Sequence, residues 1–417
     1  MPPANPSAGR PRIEGGLHGN LFTGLEEPIR RDLEALLPLI ERTFPIPSRF
    51  RRALGNDVAE LSRLLTSARG ERSLSYLNQP PLLSAYLYYF LPWTLYRLCR
   101  LLPGLDLPLA PGDTIVDLGS GPLSFTIGLW LCRPDLRPIP LQFRCLDRSK
   151  AALEAGKRLF TALPDSACPW TITTIHGDLF RLHKPGNQPQ QPAQPGPRNH
   201  RNQTQGAALV TALNLYNELS QSISPGDDAG QRRFANNQAA LLTGLAAEGG
   251  RLLVVEPGTP PSGRFITLLR EALINLDRPP LAPCTHSQPC PFPAAAKWCH
   301  FAFDTEEAPA NLHRLSAAAG IPKERATLSF LLAGPVTADK KPREQENPSP
   351  VRLISDSFPV SAAQGSREWG RYACGEKGLA LLRGDKTPIQ AAEPGTLLAA
   401  SFTGERDPKS GALLCRL

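Results

Sequence analysis

No stretch of this chain approaches the ~18 consecutive apolar residues that a membrane-spanning helix requires. The nearest, Leu82–Leu102, is broken by Pro92, Arg97 and Arg100, so no membrane partner is expected. The opening MPPANPSAGRPRIEGG lacks the apolar core of a secretory signal, and the expected compartment is a reducing cytoplasm. Nine cysteines there do not read as a disulfide framework, which leaves buried thiols or metal ligands. Acidic side chains are in deficit, giving a formal net charge of +8 that favours a polyanionic partner, though weakly. What the chain does have is length: 417 residues hold two or three domains and a sizeable core.

The organising stretch is TIVDLGSGPLSFTIG, Thr114 to Gly128. An apolar run ends in Asp117, Gly119-Ser120-Gly121 follows, and Leu123, Phe125, Ile127 and Leu131 then recur. The pattern predicts a buried strand, a tight glycine turn and a helix, the opening unit of a parallel α/β sheet. A dinucleotide turn needs free N–H groups at the helix start for its pyrophosphate. Pro122 removes one. The acid two residues before the first glycine instead resembles motif I of class I S-adenosylmethionine-dependent methyltransferases, whose ligand has no phosphate. The third glycine common in that motif is Leu123 here.

Around this unit the chain divides into a flexible lead (1–24), a helical N-terminal domain (25–110), a methyltransferase-like domain (111–334) and a C-terminal β segment (351–417). Ile29, Leu33, Leu36, Leu37 and Ile40 mark an amphipathic helix in the second part, as do Val58, Leu61, Leu64 and Leu65. The aromatic segment Tyr76 to Leu98 reads as helices packed on the sheet, with a base-stacking surface as the alternative. Strands are expected at Leu141–Asp147, Trp170–Ile175, Ala207–Leu215 and Arg251–Val255, with helices at Ser149–Leu163, Gln231–Ala247 and Ile266–Leu276. Asp147, at a strand tip, is the candidate for ribose hydroxyls. Asp178 is placed beside adenine by analogy with the methyltransferase pattern. Asn214 stands at the tip of strand four, where methyl-transfer enzymes carry substrate-facing residues. The Pro/Gln/Asn-rich stretch 184–206 reads as a disordered insertion. Of the later strand signals, Val351–Ile354, Gly378–Leu382 and Thr396–Phe402, two are expected to complete the sheet's antiparallel edge.

The loop 283–301, PCTHSQPCPFPAAAKWCHF, holds Cys284, Cys290 and Cys299 among four prolines, which rule out a regular element. Something must order it, and three thiols in a reducing compartment point to a metal. His286, His300 or Cys374 is the candidate for the remaining position, and spacing does not separate zinc from an iron–sulfur cluster.

Motif I, the signature VVEPGTPPSGRF (Val254 to Phe265), C-x-H-x-x-x-C-P with Trp298-Cys299-His300-Phe301, and Cys374-Gly375 together resemble the methyltransferase-like proteins of the mitochondrial small ribosomal subunit and their bacterial relatives. The resemblance spans roughly Tyr76 to Leu382. It implies an α/β class I methyltransferase (Rossmann-like) fold with a helical N-terminal domain and a small C-terminal β appendage. It also implies S-adenosylmethionine held through Asp117, Gly119, Gly121, Asp147, Asp178 and Asn214, and a [4Fe-4S] cluster on Cys284, Cys290, Cys299 and Cys374. The implied partner is small-subunit ribosomal RNA, in assembly or translation, with the free chain a monomer. Catalytic residues are left unassigned: NLYNEL (214–219) has neither an Asn/Asp-Pro-Pro-aromatic tetrad nor a nucleophilic cysteine. An active RNA methyltransferase, and a small-molecule methyltransferase with structural zinc, are the alternatives.

Overall fold

The computed structural model describes residues 19–68, 76–163, 168–178, 206–220, 223–224, 226–292, 297–336, 348–361 and 367–416. Of the expected lead only 19–24 are described, and of the expected insertion only Gly206. Those first residues are no flexible lead: Leu21 and Phe22 are buried, and Phe22 packs against Phe301, Phe303 and Phe330. An apolar pair in a Pro/Gly-rich stretch finds a pocket that the local pattern does not announce. No helix among the described residues is long and apolar enough to cross a membrane.

Helices α1 (Glu27–Thr43), α2 (Ser48–Arg51) and α3 (Leu54–Leu65) come first, α1 burying Ile29, Leu33, Leu36, Leu37 and Ile40 along one stripe. The aromatic segment is a nearly continuous helical run: a 3₁₀ turn at Tyr76–Asn78, α4 (Pro80–Ala85), a π-helical turn Tyr86–Phe90 and α5 (Leu91–Leu101). Pro80 sits in the first turn of α4, where a missing N–H costs least, while Pro92 lies inside the run directly after the π-helical turn.

The main sheet follows, with β1 (Thr114–Leu118), α6 (Ser124–Cys132), β2 (Gln142–Asp147), α7 (Lys150–Thr161), β3 (Thr171–His176), β4 (Ala207–Leu213), α8 (Tyr216–Leu219), α9 (Asp228–Leu245), β5 (Ala246–Pro257), α10 (Pro260–Ile274), β6 (Pro280–Ala282), β7 (Phe301–Asp304), α11 (Ala310–Ala318) and β8 (Arg325–Ala333). Its order is β3-β2-β1-β4-β5-β8-β6, with β7 also on β8. Neighbours from β3 to β5 are parallel; β8 runs antiparallel to β5, and β6 and β7 antiparallel to β8. A parallel sheet reversing order between β1 and β4, with one reversed strand, β8, set between β5 and the edge strands β6 and β7, is the class I methyltransferase-like fold expected above. The reversal opens a crevice at the carboxyl ends of β1 and β4.

The antiparallel edge is completed by β6, β7 and β8. The C-terminal strands do not join it, which corrects the expectation. They form a second sheet: β9 (Ser349–Leu353), β10 (Phe358–Ser361), β11 (Arg367–Gly375), β12 (Gly378–Gly384), helix α12 (Lys386–Ala391), β13 (Leu397–Arg406) and β14 (Leu413–Arg416). Their inward side chains, Val351, Leu353, Ala373, Ala380, Leu382, Ala400 and Cys415, bury one another in a core of their own. That separate core is why these strands leave the main sheet.

Candidate functional site

Asp117, the penultimate residue of β1, lies beneath the turn, 1% exposed. Its Oδ1 accepts from Thr211 Oγ1 at 2.6 Å, while Oδ2 has no partner. Burial pushes its carboxyl up to about 7, with nearby Asp147 adding to the rise. Three alternate residues above it are left-handed: Gly119 at φ 66°, Gly121 at φ 52° and Leu123 at φ 57°. The third glycine of the motif is thus replaced by a leucine that keeps the glycine conformation, stabilised by full burial.

Asp147, at the tip of β2, holds this turn. Its Oδ2 accepts from Gly121 N–H at 2.8 Å and its Oδ1 from Ser149 N–H at 2.7 Å. Ser149 in turn caps α7, accepting from Ala152 N–H at 3.2 Å. Burial raises the Asp147 carboxyl despite these bonds.

Strand four is fixed from β5. The buried Glu256 carboxylate accepts from the N–H groups of Tyr216 and Asn217 at 2.7 and 3.0 Å, and burial pushes it up to about 8. Asn214 adopts φ 51° and donates its N–H to Val255 O at 2.8 Å.

These tips surround a cavity of about 360 Å³ lined by Gly119, Gly121, Asp147, Asp178 and Asn214, five of the six expected donor-site residues. Asp117 lies outside the lining, under the turn. Gly119 cannot gain a Cβ without meeting Leu215 at 2.7 Å, whereas a Cβ on Gly121 would meet nothing within 4 Å. The space beside Gly121 is open, so a ligand can approach the backbone there.

Sequence reasoning missed the roof. Tyr76, Tyr86, Tyr89, Phe90 and Arg97 line the same cavity from the N-terminal helices, with Lys323 from the loop before β8. Tyr76 Oη donates to Glu218 at 3.2 Å, and Arg148 pairs with the other Glu218 oxygen at 3.2 Å. Burial lowers Arg97, and pushes Lys323 down to about 8 with Arg97 adding repulsion. A π-turn at Tyr86–Phe90 sits in this roof, an irregularity of the kind that gathers at functional sites. Periodicity alone does not reveal it.

The expected metal centre is not there. Among the described residues no group of three or more His, Cys, Asp or Glu side chains could hold a metal ion, which overturns both the [4Fe-4S] cluster and the zinc alternative. Cys284, Cys290, Cys299 and Cys374 line a cavity of about 30 Å³, a single water's share, together with Arg270 and Arg352. Burial raises the thiols of Cys284, Cys299 and Cys374, favouring their neutral forms. Cys374 Sγ instead lies 3.6 Å from His286 Nε2. Hydrogen bonds order the proline-rich loop. Arg270 donates to His286 O and Gln288 O at 2.6 and 2.8 Å and to Cys284 Sγ at 3.2 Å, Trp298 Nε1 to Gly258 O at 3.0 Å, and Ser329 Oγ to Cys299 O at 2.8 Å.

Residues 232–358 match the family described as mitochondrial small ribosomal subunit Rsm22. No curated protein matches the chain. Among solved structures, the chain is similar to a SAM-dependent methyltransferase from Geobacter sulfurreducens in complex with S-adenosyl-L-homocysteine, at 14% identity over 58% of this chain and 91% of that one, TM-score 0.28. A SAM-dependent methyltransferase from Thiobacillus denitrificans, with the same ligand, gives 14%, 58%, 91% and 0.30. Geranyl diphosphate C-methyltransferase from Streptomyces coelicolor A3(2) gives 12%, 75%, 100% and 0.31.

Proposed function

We propose that this chain binds S-adenosylmethionine in the cavity at the tips of β1, β2 and β4 and acts on the small ribosomal subunit by binding its RNA, in assembly or translation. The observation that carries the donor assignment is the left-handed turn at Gly121, whose missing Cβ opens backbone to the cavity while Asp147 fixes it. The partial match to a small-ribosomal-subunit family supports the partner.

The bound donor supplies an electrophilic methyl group on a sulfonium. Gly119 and Gly121 give close approach, Asp147 and Asp178 offer acceptors for hydroxyl and amino groups, and Asn214 stands on the strand-four side. The aromatic side chains Tyr76, Tyr86, Tyr89 and Phe90 cover the cavity from the N-terminal helices. Methyl transfer is the second reading, favoured because the cavity runs past the turn to Tyr86, Arg97 and Lys323.

Titration calorimetry tests the donor site. Wild type binds S-adenosylmethionine; Asp147→Ala, which loses both the turn clamp and an acceptor, binds roughly 5- to 150-fold more weakly, about 1–3 kcal/mol. Gly121→Val abolishes binding by filling the cradle at an unfavourable φ. Absence of binding in wild type, or unchanged binding in both folded variants, refutes the assignment.

A further inference from the structure

The second sheet closes on itself, because β9 pairs with both β13 and β11. Counting β9, β11, β12, β13 and β14 as strands one to five, the order around the ring is 1-2-3-5-4-1. Strands three and five are parallel, all other neighbours are antiparallel, and α12 lies between strands three and four. This is the arrangement of the OB-fold, a five-stranded Greek-key barrel whose strand 2–3 face binds oligonucleotides or oligosaccharides. A shared fold names no ligand, so the choice rests on the side chains.

On β11 and β12 the barrel interior takes Ala373, Ala380 and Leu382, which turns Tyr372 and Leu379 outward. Across from them stands the end of the proline-rich loop, and the pocket between, about 190 Å³, is lined by Phe292, Lys297, Trp298, His300, Tyr372 and Leu379. Trp298 is anchored by its bond to Gly258 O and fills the space a Cβ on Gly263 would need. The His300 ring stacks on it, 4.9 Å between centroids at 22°. Lys297 Nζ lies 5.4 Å from the Tyr372 ring centre. Among the described residues no Asp, Glu, Asn or Gln lines the pocket, and the hydroxyl of Ser355, which does, already donates to Asp356 O and accepts from Tyr372 N–H. A sugar would leave its hydroxyls with few acceptors here, whereas a base needs flat π faces and its phosphate a cation.

We infer that this pocket receives an unpaired base of single-stranded RNA beside His300 and Tyr372: Phe358 already packs on the Tyr372 ring and Lys297 lies over it, so the base displaces Lys297, which turns to the adjoining phosphate. The choice of RNA rests on the partner proposed above; the barrel adds where the strand lies and that it is unpaired. The test is fluorescence anisotropy of the full chain with a short fluorescein-labelled single-stranded oligouridine and with a labelled RNA duplex. His300→Ala and Tyr372→Leu should each weaken single-strand binding roughly 5- to 100-fold. Lys297→Ala, an exposed change, should lower the log–log salt slope by about one. All three should keep the wild-type thermal midpoint and near-ultraviolet circular dichroism spectrum, which certifies folding. Equal single-strand affinity in the three variants, or duplex bound as tightly as single strand, overturns the inference. So does a wild type that binds no single strand yet still sediments with small subunits, and that result leaves the proposed function standing.

Discussion

Asp117 is a residue whose chemistry is strongly changed by its surroundings. Its carboxyl moves from an ordinary 3.8 to about 7 because burial penalises the charge, with the Thr211 bond a smaller opposing effect. A carboxyl raised on folding gives stability that is complete below the unfolded value and lost as pH rises through the folded one. The thermal midpoint of wild type should therefore fall between about pH 4 and pH 7, with a contribution from this group. Asp117→Asn, which keeps an acceptor for Thr211, should flatten that part of the profile. Parallel profiles for the two proteins would show that another group titrates. Leu123 makes the complementary point. Its left-handed φ costs roughly 1–2 kcal/mol, but burying a leucine side chain gains about 1.5–3, so the motif's glycine is dispensable where the side chain has a pocket.

Helix α7 shows how one element sets another's geometry. A Cβ on Gly156 would lie 2.4 Å from Pro122 C and 2.6 Å from Leu123 Cγ, so this glycine lets the helix touch the donor-site turn. Two effects oppose each other in Gly156→Ala. Helix propensity favours alanine by about 1 kcal/mol, while forcing backbone apart in a packed site costs typically 1–3. The contact is with backbone, which cannot swing aside, so the clash should win. The expected outcome is a lower unfolding free energy in denaturant and weaker S-adenosylmethionine binding through a displaced turn. A stabilised variant with intact binding would mean that the helix can withdraw freely. On the opposite side of the crevice, Glu256 of β5 holds the start of α8, so the tip of strand four is built by a residue 40 positions away in sequence.

At the scale of the whole molecule, residues 19–22 strap the two sheets together. Leu21 N–H donates to Gly395 O at 3.2 Å and Leu397 N–H to Gly19 O at 2.6 Å, while Phe22 fills the main core. Arg352, buried on β9, adds bonds to Pro283 O and Gly395 O at 3.2 and 2.9 Å. The donor cavity and the barrel face are therefore separate places on one connected body. With a net charge of +8, association with small-subunit RNA should weaken steeply as salt rises. Asp147→Ala should leave that association in place while losing donor affinity. Co-sedimentation with small subunits across a salt series measures both; a flat series, or loss of association in the folded variant, would favour a role that depends on the donor site.

The sequence by itself determined the βα rhythm from Thr114 to Ile274, because buried strands and amphipathic helices are written in periods of side chains that neighbours in sequence carry. It also placed Gly119, Gly121 and Asp147 together, since a glycine turn and the next strand tip are fixed by the right-handed crossover. Tertiary structure decided what distant segments do to each other. It closed the cavity with Tyr86, Arg97 and Lys323, buried the Leu21-Phe22 pair, and gave the C-terminal strands a barrel of their own. It also corrected the cysteine loop. Proline and cysteine content showed that something must order residues 283–301, but not that a buried guanidinium on α10, at Arg270, supplies the hydrogen bonds. Spacing along a chain limits which groups can meet; only packing shows that these thiols line a small cavity beside Arg270 and Arg352.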